Sequence, residues 1–312
     1  MAVPEYTDHG PLKISALNLQ SLKEKSVIIT GGASGLGKAY AVAFAEAGAY
    51  ISIGDVDAKA GHELVSELKG YVPFSCFLLD IPAEKDIPAQ RNDQVALFDA
   101  AVTNSPHHSC DVVIANAGIV GADDVFQLDD PALPPIKPDL RIIDINLIGT
   151  VYTCKLAMHY FRRQPLEASR DRCLVIKASI AAYADQPGSP QYNVSKWGAR
   201  GLMRNLRRTI WKEDIRVNLV APWYVRTPIL GQEIQAYLVG KGVEFATVED
   251  CAKAMLKIAS DTTINGRGIG IVPRSVAPEG YMDLDHDDYK EGDFLKEWQQ
   301  TVLNTALRLV VN

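Results

Sequence analysis

A glycine-rich turn between an apolar run and a helical run constrains the fold of this chain more than any other feature. The turn lies in TGGASGLGKAYAVAFAEAG, directly after the strand-like run SVIIT. Glycines there let the chain turn tightly and bring backbone N–H groups close to an anion, which the start of the following helix also attracts. The pattern predicts nucleotide binding through Gly31, Gly35, Leu36 and Gly37.

Short apolar runs alternate with longer amphipathic runs along most of the chain. The strand candidates are SVIIT, YISIGD, FSCFLLD, DVVIANA, RCLVIKAS, IRVNLVAP and GIGIVP. Helical patterns occur near residues 36–47, 57–69, 92–104, 139–163, 192–211 and 247–260. Apolar strands that alternate with helices are typical of a parallel sheet covered on both faces. We therefore predict a Rossmann-type, doubly wound α/β fold with seven parallel strands.

One domain is predicted from residue 22 to residue 274, preceded by a short arm at residues 1–21. Residues 275–312 form a C-terminal extension with an acidic segment, MDLDHDDYKEGD, followed by FLKEWQQTVLNTALRLV. The apolar spacing of the second segment predicts an amphipathic helix. This helix is expected to dock on its own domain, on a partner subunit or at the mouth of an active site.

Charge and cysteine content narrow the classes of function. The formal net charge of -6 and pI near 5.6 give no basic surface for nucleic acid. The five cysteines lack metal-ligand spacing, so we expect buried thiols in a reducing compartment and no metal. Without a signal-peptide pattern or a membrane-spanning apolar run, the sequence predicts a cytoplasmic protein.

An acidic residue at the end of the second strand predicts which cofactor binds. Asp55 lies twenty positions after Gly35, where a carboxylate can accept hydrogen bonds from the ribose hydroxyls. It would repel a 2′-phosphate, and no arginine follows it, so NAD is favoured over NADP. Lys38 is interpreted as an exposed residue of the first helical turn. Asp55 is also a candidate N-cap for the next helix.

Two further strand ends carry small or polar residues toward the same edge of the sheet. Asp80 ends the third strand and is expected to accept from the adenine amino group, while the Ile81 backbone contacts the ring. Asn116 and Gly118, in the sequence N-A-G, end the fourth strand where the chain must pass under a cofactor. Each of these residues is also compatible with an ordinary turn at a strand end.

Four residues are candidates for the chemistry. Tyr192 and Lys196 lie one helical turn apart in SPQYNVSKWGARG, so their side chains share a face. Ser179 ends the fifth strand and is expected to point into the same crevice. Asn146 lies in the apolar helical run IIDINLIGT, where an amide without a partner would be destabilising. The structural alternatives are a solvated lysine, a helix-start aromatic ring, a capping serine and a locally satisfied amide.

Taken together, these residues resemble the short-chain dehydrogenase/reductase family. The resemblance covers nearly the whole central domain, with T-G-x-x-x-G-x-G at residues 30–37, N-A-G at 116–118, Asn146, and Ser179, Tyr192 and Lys196 at the family's spacing. It implies an oxidoreductase that binds a small-molecule substrate. It also implies a homodimer or homotetramer built on the helices that contain Asn146 and Tyr192.

The resemblance implies a role for each candidate. Tyr192 is expected to be the general base in oxidation and the general acid in reduction. A free phenol has a pKa of about 10, so the charge of Lys196 is expected to lower the pKa of Tyr192, and Lys196 is expected to hold the nicotinamide ribose. Ser179 is expected to hydrogen-bond the substrate oxygen. Asn146 is expected to hold a water that relays protons to Lys196.

One loop departs from the family pattern. In APWYVRTP the family's usual glycine is replaced by Trp223, which is expected either to pack under the loop or to form an aromatic wall. Thr227 stands where the family's threonine binds the carboxamide, and Val225 is expected to give backbone contacts. The substrate lid is predicted at residues 229–247. Further substrate-pocket candidates are Tyr183, Ser189 and Tyr224.

The leading hypothesis is an NAD-dependent oxidoreductase for a secondary alcohol or ketone, with an apolar substrate of medium size. An NADPH-dependent ketoreductase is the alternative enzyme. A non-catalytic, cofactor-binding regulatory protein is the alternative of another class. Hydrolase chemistry through Ser179 is disfavoured, because no histidine lies near that motif and no G-x-S-x-G elbow is present.

Overall fold

The computed structural model describes residues 10–13, 16–69, 78–80, 87–126, 129–164, 167 and 170–306. Its strands are β1 (Ser26–Thr30), β2 (Tyr50–Asp55), β3 (Leu78–Asp80), β4 (Val112–Ala115), β5 (Cys173–Lys177), β6 (Arg216–Pro222), β7 (Gly268–Ile271) and β8 (Tyr281–Asp283). They form one sheet in the order β3-β2-β1-β4-β5-β6-β7-β8. The order reverses between β1 and β4, which is where a doubly wound sheet opens a crevice for a ligand.

Helices cover both faces of the sheet. They are α1 (Gly35–Glu46), α2 (Ala58–Leu68), α3 (Ile87–Asn104), α4 (Arg141–Ile143), α5 (Gly149–Arg163), α6 (Pro190–Thr209), α7 (Gln232–Gly240), α8 (Val248–Ser260) and α9 (Phe294–Thr305). Helices α1, α2 and α8 contribute to one apolar core, and α3, α5 and α6 contribute to the other. This arrangement confirms the predicted three-layer α/β fold.

The strands divide their side chains between the two cores with a period of two. In β1, Val27 and Ile29 pack on one face of the sheet, while Ile28 packs on the other. In β5, Val175 and Ile176 face opposite cores in the same way. All five residues of β1 are buried, so the apolar runs in the sequence reflect a sheet enclosed on both sides.

The sheet has one strand more than the seven predicted. Strands β1 to β7 are parallel, but β8 lies in the C-terminal extension and pairs antiparallel with β7, Ile271 opposite Tyr281 and Ile269 opposite Asp283. The sequence pattern misses β8 because it is three residues long and lies in a polar, acidic segment. Tyr281 is the one residue of this strand that is buried.

Helices α7 and α9 lie at the periphery of the domain, in the predicted lid and in the C-terminal extension. The segment expected to form an irregular lid contains α7, whose residues are all at least partly exposed. The predicted C-terminal helix is α9, yet none of its residues is buried, and Phe294, Trp298 and Val302 form an exposed apolar stripe. Within the described part of the chain, α9 therefore does not dock on its own domain. Among the described residues, every helix is too short or too polar to span a bilayer.

Candidate active site

The glycine turn after β1 has a backbone that side chains would not tolerate. Gly31 and Gly35 have φ angles of +65° and +51°, in the left-handed region. A Cβ atom on Gly37 would lie 1.9 Å from the Gly31 carbonyl oxygen and 2.7 Å from the Asn116 amide nitrogen. The glycines therefore allow α1 to begin tightly against the ends of β1 and β4.

The start of α1 has the properties of an anion site. Its N-cap residue, Ser34, makes no side-chain cap, and the first turn of the helix contains no acidic residue. The first N–H groups of a helix lack partners inside the helix, and the helix dipole places partial positive charge there. The turn thus fits a phosphate group, as the sequence predicts.

The N-A-G sequence is bound directly to the glycine turn. The Asn116 side-chain amide donates hydrogen bonds to the carbonyl oxygens of Thr30 (2.9 Å) and Gly31 (2.8 Å). The Thr30 hydroxyl accepts from the backbone N–H groups of Asn116 and Ala117. These bonds hold the ends of β1 and β4 together across the crevice.

The carboxylate of Asp55 faces the glycine turn. It accepts hydrogen bonds from the Ala33 N–H (2.8 Å) and the Asp57 N–H (3.1 Å). Asp57, rather than Asp55, caps α2 by accepting from the Ala60 N–H. Lys38 is exposed and forms an ion pair with Glu67 (2.7 Å).

The predicted adenine contacts lie at the border of the described residues. Asp80 ends β3 and is paired with Asp55 of β2 in the sheet ladder. Its side chain is not among those described, and Ile81 lies outside the described residues. Both roles stay predictions.

Asn146 lies in a π-helical turn, Asp144–Ile148, between α4 and α5. Turns of this kind are rare in proteins, and those that occur are often at functional sites. The Asn146 amide accepts from the Ile119 N–H (2.7 Å) and donates to the Ile119 carbonyl oxygen (2.9 Å). The side chain therefore has a positioning function for the loop after β4, and its expected water relay stays a prediction.

Ser179, Tyr192 and Lys196 come together at the carboxyl end of β5. Ser179 caps the 3-10 turn Ile180–Ala182, and its hydroxyl lies close enough to the Tyr192 phenol to lower the pKa of that group. The Lys196 amine lies 5.3 Å from the centre of the Tyr192 ring. A Cβ atom on Gly118 would lie 3.5 Å from that amine and 3.1 Å from the Asn146 side-chain oxygen. The four residues predicted to carry the chemistry thus occupy one small volume.

The electrostatics of the pair differ from the sequence-based expectation. Burial raises the pKa of Tyr192 above its ordinary value, and the proximity of Ser179 offsets only part of that effect. Burial, together with the charge of Lys177, lowers the pKa of Lys196 to about 7. In the cofactor-free protein Lys196 therefore does not bring the pKa of Tyr192 below that of a free phenol. The sequence argument omitted burial, which acts on both groups.

Lys177 is a site residue that the sequence analysis missed. It ends the apolar strand β5, two residues before Ser179, and burial lowers the pKa of its amine to about 8. A lysine at the end of the otherwise apolar run CLVIK was the available signal. Its charge acts on Lys196, so the electrostatics of the site depend on both lysines.

The loop after β6 brings aromatic rings to the site. Trp223 donates from its indole N–H to the Glu244 carbonyl oxygen (3.0 Å) and packs against the core, as a structural tryptophan does. Its ring meets Tyr224 edge-on at 4.8 Å, and Tyr224 lies 6.3 Å from Phe245. Tyr224 is close enough to Tyr192 to raise the pKa of that phenol.

Two other predicted contacts of this loop face the glycine turn or the core. Thr227 is buried. A Cβ atom on Gly35 would lie 3.6 Å from the Cβ atom of Thr227. Val225 is buried and forms an isolated bridge with Ala246. Thr227 is therefore placed beside the predicted phosphate site. The expected backbone contacts of Val225 stay a prediction.

Of two further predicted substrate-pocket residues, Tyr183 has a structural role, whereas the substrate contact expected of Ser189 stays a prediction. The Tyr183 hydroxyl donates to Asp287 (2.7 Å), and the Arg200 guanidinium stacks 3.9 Å from the ring centre. Tyr183 thus ties the C-terminal segment to the domain. Ser189 is the N-cap residue of α6, and its carbonyl oxygen accepts from the Asn193 N–H. The sequence could not predict the Tyr183 contact, since Asp287 is 104 residues away.

Comparison with known proteins agrees with this geometry. The family model for short chain dehydrogenase matches residues 25–238. The chain belongs to the short-chain dehydrogenase family. It is 33% identical over 295 residues to 5′-hydroxyaverantin dehydrogenase of Dothistroma septosporum, with 88% of this chain and 91% of that protein covered. It is 30% identical over 263 residues to (+)-borneol dehydrogenase 1 of Salvia officinalis, with 80% and 92% covered.

Solved structures share the fold of this short-chain dehydrogenase. A short-chain type dehydrogenase/reductase from Mycobacterium marinum superposes with a TM-score of 0.68 at 23% identity, covering 84% of this chain and 99% of that one. A 3-ketoacyl-(acyl-carrier-protein) reductase from Brucella melitensis, complexed with NADH, gives 0.66 at 22% identity, covering 80% and 97%. Family membership makes this chain an oxidoreductase that binds a nicotinamide cofactor.

The buried amine of Lys196 gives this dehydrogenase a predicted pH dependence of stability. Between pH 7 and 10.5 the unfolded chain binds a proton at Lys196 that the folded, cofactor-free protein does not, so stability rises with pH across that window. Lys196→Met should increase the free energy of unfolding, on the order of a few kcal/mol near pH 7. The increase should shrink as the pH approaches 10.5, which denaturant titrations at several pH values will measure.

Lys155→Met, which changes an exposed lysine of α5, is the matched control and should leave the curve unchanged. A gain from Lys196→Met that is the same at every pH would contradict the account, because ordinary apolar packing would then explain it.

Proposed function

We propose that this chain is an NAD-dependent dehydrogenase that transfers a hydride between NAD(H) and a secondary alcohol or ketone. The observation that carries the proposal is the meeting of Ser179, Tyr192 and Lys196 at the end of β5, beside the glycine turn. An alcohol oxygen that contacts the hydroxyl groups of Ser179 and Tyr192 has both a hydrogen-bond donor and a proton acceptor within reach.

The residues around the crevice fit a dinucleotide. There is no room for a side chain at Gly37, and the N-terminus of α1 offers backbone donors to an anion. In our proposal these donors hold the diphosphate, Lys196 holds the ribose next to the nicotinamide, and Thr227 holds the carboxamide. When bound, the nicotinamide supplies the hydride acceptor for oxidation or the hydride donor for reduction.

Tyr192 exchanges the hydroxyl proton of the substrate in this proposal. In oxidation its phenolate accepts the proton of the alcohol, and in reduction its phenol returns a proton to the carbonyl oxygen. Ser179 donates a hydrogen bond to that oxygen and stabilises its developing negative charge. A water held beside Asn146 would carry protons between Lys196 and solvent.

The position of Asp55 supports NAD over NADP. Its carboxylate lies against the backbone of the glycine turn, where it would meet the ribose of the adenosine half of a dinucleotide. A phosphate on that ribose would be repelled by the carboxylate. Lys38 is paired with Glu67 and gives no compensating charge.

Aromatic side chains support an apolar substrate of medium size. Tyr224 lies near the Tyr192 phenol, and the rings of Trp223 and Phe245 flank it. Flat apolar surfaces stack well on such rings. Two relatives are named as dehydrogenases of 5′-hydroxyaverantin and of (+)-borneol, which supports an alcohol as the substrate of this chain.

We also propose a homodimer or homotetramer built on α5 and α6. Val151 of α5 is exposed, as are Val194 and Trp197 on one side of α6. Exposed apolar side chains on these two helices fit an interface between subunits.

Asp55→Ala should weaken NAD(H) binding and reduce the preference of the protein for NAD(H) over NADP(H), because the variant loses the acceptor for the ribose hydroxyls. Quenching of tryptophan fluorescence during titration with each cofactor will measure both affinities. The matched control is Lys38→Ala, which should leave both affinities unchanged. Equal or tighter NADP(H) binding by the wild type would instead favour an NADPH-dependent ketoreductase.

Tyr192→Phe should lower turnover by about a hundredfold or more, because it removes the proton acceptor while keeping the ring. The measurement is NADH formation from a panel of apolar secondary alcohols. Tyr50→Phe, at the start of β2 and the opposite edge of the sheet, should retain turnover.

Full turnover by Tyr192→Phe would contradict the mechanism. Tight NADH binding without turnover of any alcohol or ketone by the wild type would favour the non-catalytic alternative.

A further inference from the structure

The C-terminal segment Asp283–Asp288 is held to the domain by three buried arginines. Arg267 pairs with Asp283 (2.8 Å), Arg207 of α6 pairs with Asp288 (2.8 Å), and Arg200 of α6 pairs with Asp287 (2.7 Å). Because a buried arginine without a partner is strongly destabilising, each ion pair fixes its carboxylate in place. The sequence analysis had noticed this segment for its acidic composition alone.

Asp287 differs from the other acidic residues because it joins two elements of the active site. One carboxylate oxygen accepts from the Tyr183 hydroxyl (2.7 Å), and the other accepts from the Arg200 Nε (2.7 Å). Tyr183 directly follows the 3-10 turn that Ser179 caps. Arg200 lies one helical turn after Lys196, on the buried side of α6.

Further contacts close this connection into a ring. Arg200 donates to the carbonyl oxygen of Ala182, in the turn after Ser179 (3.0 Å), and its guanidinium stacks on the Tyr183 ring. Gly268 of β7 leaves the space for the connection, since a Cβ atom there would lie 2.2 Å from the Tyr183 hydroxyl. The turn that carries Ser179 and the helix that carries Tyr192 are thus linked through one carboxylate.

The connection is also stable toward pH. Burial and the adjacent Asp287 carboxylate raise the pKa of Tyr183 well above its ordinary value, so its hydroxyl remains a donor throughout the working range. Asp287 itself is 5% exposed, which shields the hydrogen bonds from water. A rigid, water-excluded contact of this kind is suited to fixing the distance between two groups.

We propose that Asp287 is a positioning residue for the reaction, because it holds the Ser179 turn against α6 and so keeps the Ser179 hydroxyl beside the Tyr192 phenol. The proposal rests on the proposed function, in which these two hydroxyl groups act together on the substrate oxygen. It assigns the C-terminal extension a role in catalysis beyond covering a surface.

Asp287→Asn and Tyr183→Phe are the test variants, and Asp283→Asn is the matched control. Asp283 is equally buried and is paired with Arg267, but it contacts neither α6 nor the Ser179 turn. Both test variants should lower kcat by about tenfold, with NADH affinity and KM changed by less than about threefold. Asp283→Asn should keep kcat within about twofold of the wild type.

The pH profile separates positioning from a loss of stability. The proximity of Ser179 lowers the pKa of Tyr192, so moving Ser179 away should raise that pKa. In a plot of the rate of alcohol oxidation against pH, the acid limb should then move to higher pH. Tyr183→Phe keeps the stacked ring, so it decides the question if Asp287→Asn fails to fold. Equal losses of kcat in test and control variants would overturn the proposal. An acid limb that stays at the wild-type pH in both test variants would also overturn it.

A second measurement keeps the inference separate from the proposed function. The phenolate of Tyr192 absorbs in the ultraviolet, so each protein can be titrated against the same protein carrying Tyr192→Phe, with no substrate present. A higher pKa of Tyr192 in Asp287→Asn and Tyr183→Phe supports positioning even if no substrate is turned over. An unchanged pKa in both variants overturns it.

Discussion

Burial of ionisable side chains along one face of α6 is the constraint on which the rest of the site depends. Tyr192 and Lys196 lie on this face at the crevice, and Arg200 and Arg207 continue it toward the C-terminal segment. Cations inside a protein require partners. Arg200 pairs with Asp287 and Arg207 pairs with Asp288. The buried amine of Lys196 instead has its pKa lowered to about 7. The chemistry and the C-terminal anchor are thus two ends of one buried stripe.

Local patterns in the sequence were sufficient to predict most of the fold and the set of residues that the fold brings together as the candidate catalytic group. The glycine turn, the seven parallel strands and the Tyr192–Lys196 spacing each depend on residues close together in the chain, so the sequence displays them directly. Contacts over long distances were not predictable in this way. Tyr183 was interpreted as a pocket residue because its partner, Asp287, lies in an acidic segment that gives no pairing signal. Strand β8 was missed for the same reason.

The electrostatics of the site required the structure as well. From the sequence, a lysine one turn away from a phenol predicts a lower pKa for the phenol. In the folded protein, burial opposes ionisation of Tyr192 and protonation of Lys196, and Lys177 adds a second positive charge near Lys196. Burial therefore disfavours the phenolate of Tyr192, which is the form that accepts a proton. An oxidised nicotinamide ring carries the additional positive charge that would favour the phenolate.

The most direct test of the account is the ionisation of Tyr192 with and without cofactor, measured by ultraviolet difference titration of the wild type against Tyr192→Phe. Without cofactor, the account predicts that Tyr192 ionises above the pKa of about 10 of a free phenol. Saturating NAD⁺ should bring the titration down toward neutral pH. The same alkaline titration with and without NAD⁺ would contradict the assignment of Tyr192 as the proton acceptor.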